Sequence, residues 1–213
     1  PLLLQDPRLA VRLRAASVLG SFPPEQLGRE RPQALDPALQ EFWRWGEALS
    51  DRPEAHLEVA GLHMQRGELA EAEKGYGKAL QLAPGLPQAV INLADLYRVQ
   101  GQEKRAEALL RQALSRSPRE ADLHHALGLS LVRQGKAPQA LLALERAVQL
   151  EPQDLDFGYV LIVAWSEAGR TAEALKLARR YLVHYPEQEQ LLTVSAELAR
   201  RCEREAEAQR RHP

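Results

Sequence analysis

Apolar residues return along most of this chain at spacings of three and four, the period of a helix with one buried face. Between residues 53 and 188 these stripes are short, and a glycine or a proline interrupts each of them. The interruptions are themselves periodic. Pro84, Pro118, Pro152 and Pro186 stand 34 residues apart, as do Gly67, Gly101, Gly135 and Gly169, and Ala72, Ala106, Ala140 and Ala174. Three residue types sharing one period over four copies mark an internal repeat.

Each copy predicts two helices. The first (54–66, 88–100, 121–134, 155–168) stops at the glycine, which takes a left-handed C-terminal conformation without steric cost. The second (69–82, 103–116, 137–150, 171–184) closes before the proline, which cannot continue a helix. Small residues recur where the pair must approach: Ala60, Ala94 and Gly128 in the first helix, Ala79, Ala113 and Ala147 in the second. Larger ones recur beside them, with Tyr97, Leu131 and Trp165 in the first helix and Tyr76, Leu110 and Leu144 in the second. The fourth copy departs, with Ile162 and Tyr181 at the small positions. Its helices are expected to splay or repack.

This unit resembles the tetratricopeptide repeat (TPR), with copies at 53–86, 87–120, 121–154 and 155–188. The resemblance implies an all-α, right-handed superhelical solenoid of antiparallel helix pairs. Its concave face would be lined by the first helix of each pair. Carried onto this sequence, that face holds Leu57 and Glu58, then Ile91, Asn92 and Asp95, then Asp122, His125 and Leu129, then Tyr159, Val160 and Val163. Leu57, Ile91, Leu129, Tyr159, Val160 and Val163 make an apolar streak, and Glu54, Glu58, Asp95, Asp122 and Asp156 edge it with negative charge. The implied partner is a protein or peptide with apolar and basic residues. One branch of the family clamps the C-terminal carboxylate of chaperones with Lys, Asn and Arg. Here only Asn92 matches, while Leu57, Asp122 and Ala126 stand in the cationic places, so that clamp is expected to be absent.

The ends read differently. Residues 1–52 form a helical lead-in. Asp6-Pro7 opens a helix over 7–20 that resembles half of a HEAT repeat, a Pro-rich loop follows at 21–35, and Asp36-Pro37 opens a capping helix over 37–50. Pro1 and the apolar run Leu2, Leu3 and Leu4, expected to be exposed, read as the cut edge of a longer protein. Residues 189–213 carry Leu191, Leu192, Val194, Leu198 and Cys202 on one stripe and read as a C-terminal capping helix with a fraying tail.

Composition removes several classes. Net charge is −1, with 28 basic and 29 acidic residues, which disfavours nucleic acid as the main ligand. One cysteine permits no internal disulfide, and no apolar run reaches the roughly 18 residues of a membrane span. No phosphate-loop, dinucleotide or nucleophile-elbow pattern occurs. His124 and His125 beside Asp122 are the densest cluster of potential ligands. Adjacent helical residues point about 100° apart, so packing is the expected role there. No metal, cofactor or catalytic group is assigned. The leading reading is a non-catalytic protein-interaction module or scaffold. A second is the C-terminal accessory region of a larger bacterial enzyme or of a protein resembling multihaem cytochromes, with the chemistry upstream. A third is self-association as a homodimer. The compartment is cytoplasmic in the first reading and periplasmic in the multihaem one.

Overall fold

The protein was analysed as a computed structural model, which describes residues 2–22, 27 and 32–211. Among the described residues it is all-helical. Among the described residues a 3-10 turn at Leu2–Gln5 precedes eleven α-helices that lie wholly within them: α1 (Leu9–Gly20), α2 (Leu35–Ala48), α3 (Pro53–Gln65), α4 (Leu69–Leu82), α5 (Pro87–Val99), α6 (Glu103–Arg116), α7 (Ala121–Arg133), α8 (Ala137–Leu150), α9 (Leu155–Glu167), α10 (Thr171–His184) and α11 (Glu189–Arg211). The chain divides into two compact units, Pro1–Ala106 and Glu107–Pro213.

The punctuation acts as its chemistry dictates. Gly67, Gly101, Gly135 and Gly169 have φ of 74°, 71°, 70° and 76°. At each, the next amide reaches back to close the helix: Glu68 to His63 O (2.9 Å), Gln102 to Tyr97 O (2.7 Å), Lys136 to Leu131 O (2.9 Å) and Arg170 to Trp165 O (2.8 Å). This Schellman closure satisfies carbonyls that a helix end would leave unpaired. Helices α3 and α5 begin one residue earlier than expected, at Pro53 and Pro87, because a proline at the first position lacks an amide that would be unpaired anyway. For the same reason α2 begins at Leu35, not at 37, and carries Pro37 in its first turn. Helix α1 begins at Leu9, not at 7, since the Asp6 carboxylate accepts from the Arg8 amide at 2.9 Å and holds that turn outside the helix. Most of the loop expected at 21–35 lies outside the described residues.

In the first unit, Leu4, Leu13, Ala16, Leu35, Leu39 and Phe42 share one core with Leu62 of α3. Leu4 is therefore buried, contrary to the expectation for the apolar start, whereas Leu2 and Leu3 are exposed. The 3-10 turn folds Leu4 inward and leaves its neighbours outside. Arg12 grips Glu41 with two bonds of 2.8 and 2.6 Å, joining α1 to α2. Trp43 stacks on His63 at 4.7 Å, joining α2 to α3.

In the second unit, α9, α10 and α11 share a core that includes Phe157, Leu161, Ile162, Tyr181, Leu191 and Leu198. The irregular fourth copy resolves by exchange of volume. Tyr181 is buried, and its ring fills the space where Gly158 lacks a side chain. The bulk gained in the second helix is thus offset one turn before Ile162 in the first. Helices α9 and α10 approach less closely than α7 and α8 do.

Two histidines have a shared structural task. His56 and His124 occupy the same register position, and each Nε2 bonds a carbonyl six residues back, Ser50 O at 2.9 Å and Pro118 O at 3.0 Å. Each ties the first turn of its helix to the preceding loop. No helix among the described residues is long and apolar enough to cross a membrane.

Candidate functional site

The site emerges from one register position compared between copies. In α4, Glu73 accepts from Tyr97 Oη at 3.3 Å and from Arg105 Nη2 at 3.0 Å, and the Arg105 guanidinium lies 4.0 Å over the Tyr97 ring. One period later, in α6, Glu107 accepts from Lys136 Nζ at 2.6 Å, Arg111 Nε at 2.9 Å and Gln134 Nε2 at 3.0 Å. The Lys136 bond, with those from Arg111 and Gln134, outweighs burial and holds the Glu107 carboxyl down at about 2.

One further period on, in α8, the residue is Leu141, and Gln134 is matched by Ala168. The cation survives as Arg170 but has no carboxylate at that place. It turns to Glu145 at 2.5 Å and to Glu173 at 2.6 Å, and its guanidinium lies 4.7 Å over the Trp165 ring. Trp165 Nε1 donates to the same Glu145 oxygen at 2.8 Å. The polar knot has moved one turn along α8.

The vacated place is an apolar pocket of about 400 Å³. Helix α7 contributes Leu129 and Val132, and α8 contributes Ala137, Ala140 and Leu141. Helix α9 contributes Tyr159, Val160, Val163, Ala164 and Glu167, with Ala168 just past its end. Glu167 is the single charged residue in the lining. Val132 and Val163 are exposed, at 48% and 38%. Large aliphatic side chains so placed mark a surface where an apolar group gains by leaving water.

Of the residues expected to face a partner, Leu129, Tyr159, Val160 and Val163 meet in this pocket. Asp122 is exposed on the first turn of α7 and does not line it. Nor does His125, which stacks on Phe157 at 4.6 Å. Its Nδ1 is buried without a hydrogen-bond partner. Burial lowers the His125 pKa against the opposing pull of Asp154, Asp122 and Asp156. The remaining five lie in the first unit. Leu57 and Ile91 are half-buried and Glu58 is exposed. Asn92 Oδ1 accepts from Gln88 at 2.7 Å, and Asp95 pairs with Arg98 at 2.5 Å. Sequence reasoning missed Val132, Leu141 and Ala168. Their signal was a break in the register: each is apolar where the previous copy has Arg98, Glu107 or Gln134.

The comparisons with known proteins agree with this architecture. Family models for the tetratricopeptide repeat match residues 63–129 and 125–189. The chain is similar to a thermophilic TPR protein of Thermus thermophilus, at 23% identity over 88% of this chain and 98% of that one, with a TM-score of 0.62. It is similar to YrrB, described as a TPR protein with an unusual peptide-binding site, at 24% identity over 76% of this chain and 84% of that one, with a TM-score of 0.58. It also matches the first TPR of Spaghetti bound to the HSP90 peptide SRMEEVD, at 20% identity over 56% of this chain and 95% of that one, with a TM-score of 0.50. No curated protein sequence matches it. At these identities the likeness speaks for the fold. With both repeat models in place and the helix pairs closed at each glycine, the chain belongs to the tetratricopeptide-repeat proteins.

Proposed function

We propose that this chain is a non-catalytic protein-interaction module that holds a peptide or a helix of a partner protein on the first helices of its repeats. The observation that carries this reading is the apolar pocket formed by Leu129, Leu141, Tyr159, Val160 and Val163. At Leu141 and Val132 this copy has apolar side chains where the preceding copy has Glu107 and Arg98, which makes an apolar surface of a charged one. Two fold neighbours support the reading by what they hold, YrrB with a peptide-binding site and Spaghetti with a bound peptide. Helices α2 and α11 serve as end caps, with Phe42 and Leu191 buried and charged residues outward. The chaperone-tail clamp has no counterpart here, because Leu57, Asp122 and Ala126 replace its cations.

Selection of a displayed peptide library on the purified chain tests the proposal. Enriched peptides carrying clustered apolar residues, with affinity weakened about tenfold or more by Val160→Asp, are expected. Failure to enrich any sequence, under conditions where the far-ultraviolet helical signal is intact, would contradict it.

A further inference from the structure

The geometry points to a specific occupant for the second unit's pocket: an amphipathic helix of a partner protein whose two apolar residues are bracketed by basic ones. This rests on the interaction-module reading and deepens it. Along α9, Asp156, Val160, Val163 and Glu167 follow at intervals of four, three and four residues, so they share one helical face within about 60°. Val160 and Val163 line the pocket, Glu167 stands at its rim, and Asp156 lies one turn before. The stripe therefore reads acidic, apolar, apolar, acidic over about 16 Å of helix. The complementary helix carries a basic residue, two aliphatic residues and a second basic residue at the same intervals.

The pocket's origin strengthens the assignment. Restoring the pattern of the preceding copy would fill it. Glu107 and Lys136 meet at 2.6 Å, and their register equivalents are Leu141 and Arg170. A glutamate at 141 would place a carboxylate in the apolar floor, within reach of a guanidinium that now serves Glu145. Apolar binding would end while the charge environment gained a partner. A volume near 400 Å³ suits two aliphatic side chains and lies within the range of ordinary ligand clefts.

The probe is a capped, lactam-locked alanine helix of 14 residues with Lys at positions 1 and 12 and Leu at positions 5 and 8. The lactam is required because so short a helix is marginal in water. Calorimetric titration into the full chain is expected to show saturable one-to-one binding. Replacing both leucines with Ser, or both lysines with Glu, is expected to weaken it about tenfold or more. Leu141→Glu and the surface variant Val163→Asp are each expected to do the same with the helical circular-dichroism signal unchanged. Equal affinity for the Glu-ended peptide, or equal binding by Val163→Asp, would overturn the assignment. Absence of binding to the parent chain would overturn it too. If library-selected peptides bound the parent chain and both variants equally, the interaction-module reading would stand and the pocket would not be its site.

Discussion

Tyr181 lies over Gly158 with its ring in the space a β-carbon would need, Cε1 standing 2.7 Å from that point. The neighbouring copies have Ala147, Ala113 and Ala79 at the tyrosine's place. Gly158→Ala is therefore expected to destabilise the chain by about 1–3 kcal/mol through overpacking. The Tyr181→Ala variant, which opens a cavity, is expected to cost about 3–5 kcal/mol. The double variant should cost clearly less than the sum, because the new methyl enters the vacated space. Urea denaturation of the four proteins gives the coupling. Strict additivity would show that the two residues do not share this volume.

The Glu107 cluster predicts an acid-sensitive contribution. Its carboxyl sits near 2 in the folded chain, below the ordinary 4.5. Stabilisation from a lowered carboxyl is complete above the unfolded value and disappears as pH falls from 4.5 towards 2. Glu107→Gln is expected to lose about 1–2 kcal/mol at pH 7. The gap between variant and parent should close by about pH 2–3, measured by urea denaturation at each pH.

His125 predicts dependence in a different window. Its pKa is lowered from 6.5 by burial against Phe157. Above 6.5 both folded and unfolded forms are neutral there. As pH falls below that value the unfolded chain takes the proton more readily, so stability declines. The copies place Leu57, Ile91 and Tyr159 in this register, so His125→Leu should fold. Thermal melts between pH 7 and pH 5 are expected to fall less steeply for His125→Leu than for the parent. Identical slopes would contradict the assignment.

His124 carries a structural bond. Removing its contact with Pro118 O by His124→Ala is expected to cost about 1 kcal/mol at pH 7 and to leave peptide binding unchanged. His56→Ala, its register mate, should behave alike by denaturation.

The fold was readable from the chain because glycine, proline and alanine each do one thing at a fixed register. Gly135 ends its helix by taking a positive φ that other residues adopt at a cost, and Ala140 signals a close approach whether or not its partner is known. The exchange between Gly158 and Tyr181 was not readable. It depends on which turn of α9 faces the ring: Ile162 and Tyr181 were conspicuous, but Gly158 was not. The start of the chain misled for a related reason: a 3-10 turn buries Leu4 while exposing Leu2 and Leu3, and hydrophobicity does not distinguish the three. The expected partner-facing residues were chosen on first helices alone. Four of them meet in the pocket, but its floor comes from Leu141 on a second helix and Ala168 beyond a helix end. Those residues stand out only when each copy is read against the previous one, where Glu107 and its donor Gln134 have been replaced.

The pocket around Leu141 is the proposed place of binding. Methyl chemical-shift mapping of the full chain with the Lys- and Leu-bearing helix tests it most directly. Saturable shifts are expected in the methyls of Leu129, Leu141, Val160 and Val163, with Leu57 and Ile91 in the first unit unmoved. Shifts centred on Leu57 and Ile91 with Leu141 and Val163 silent would contradict it.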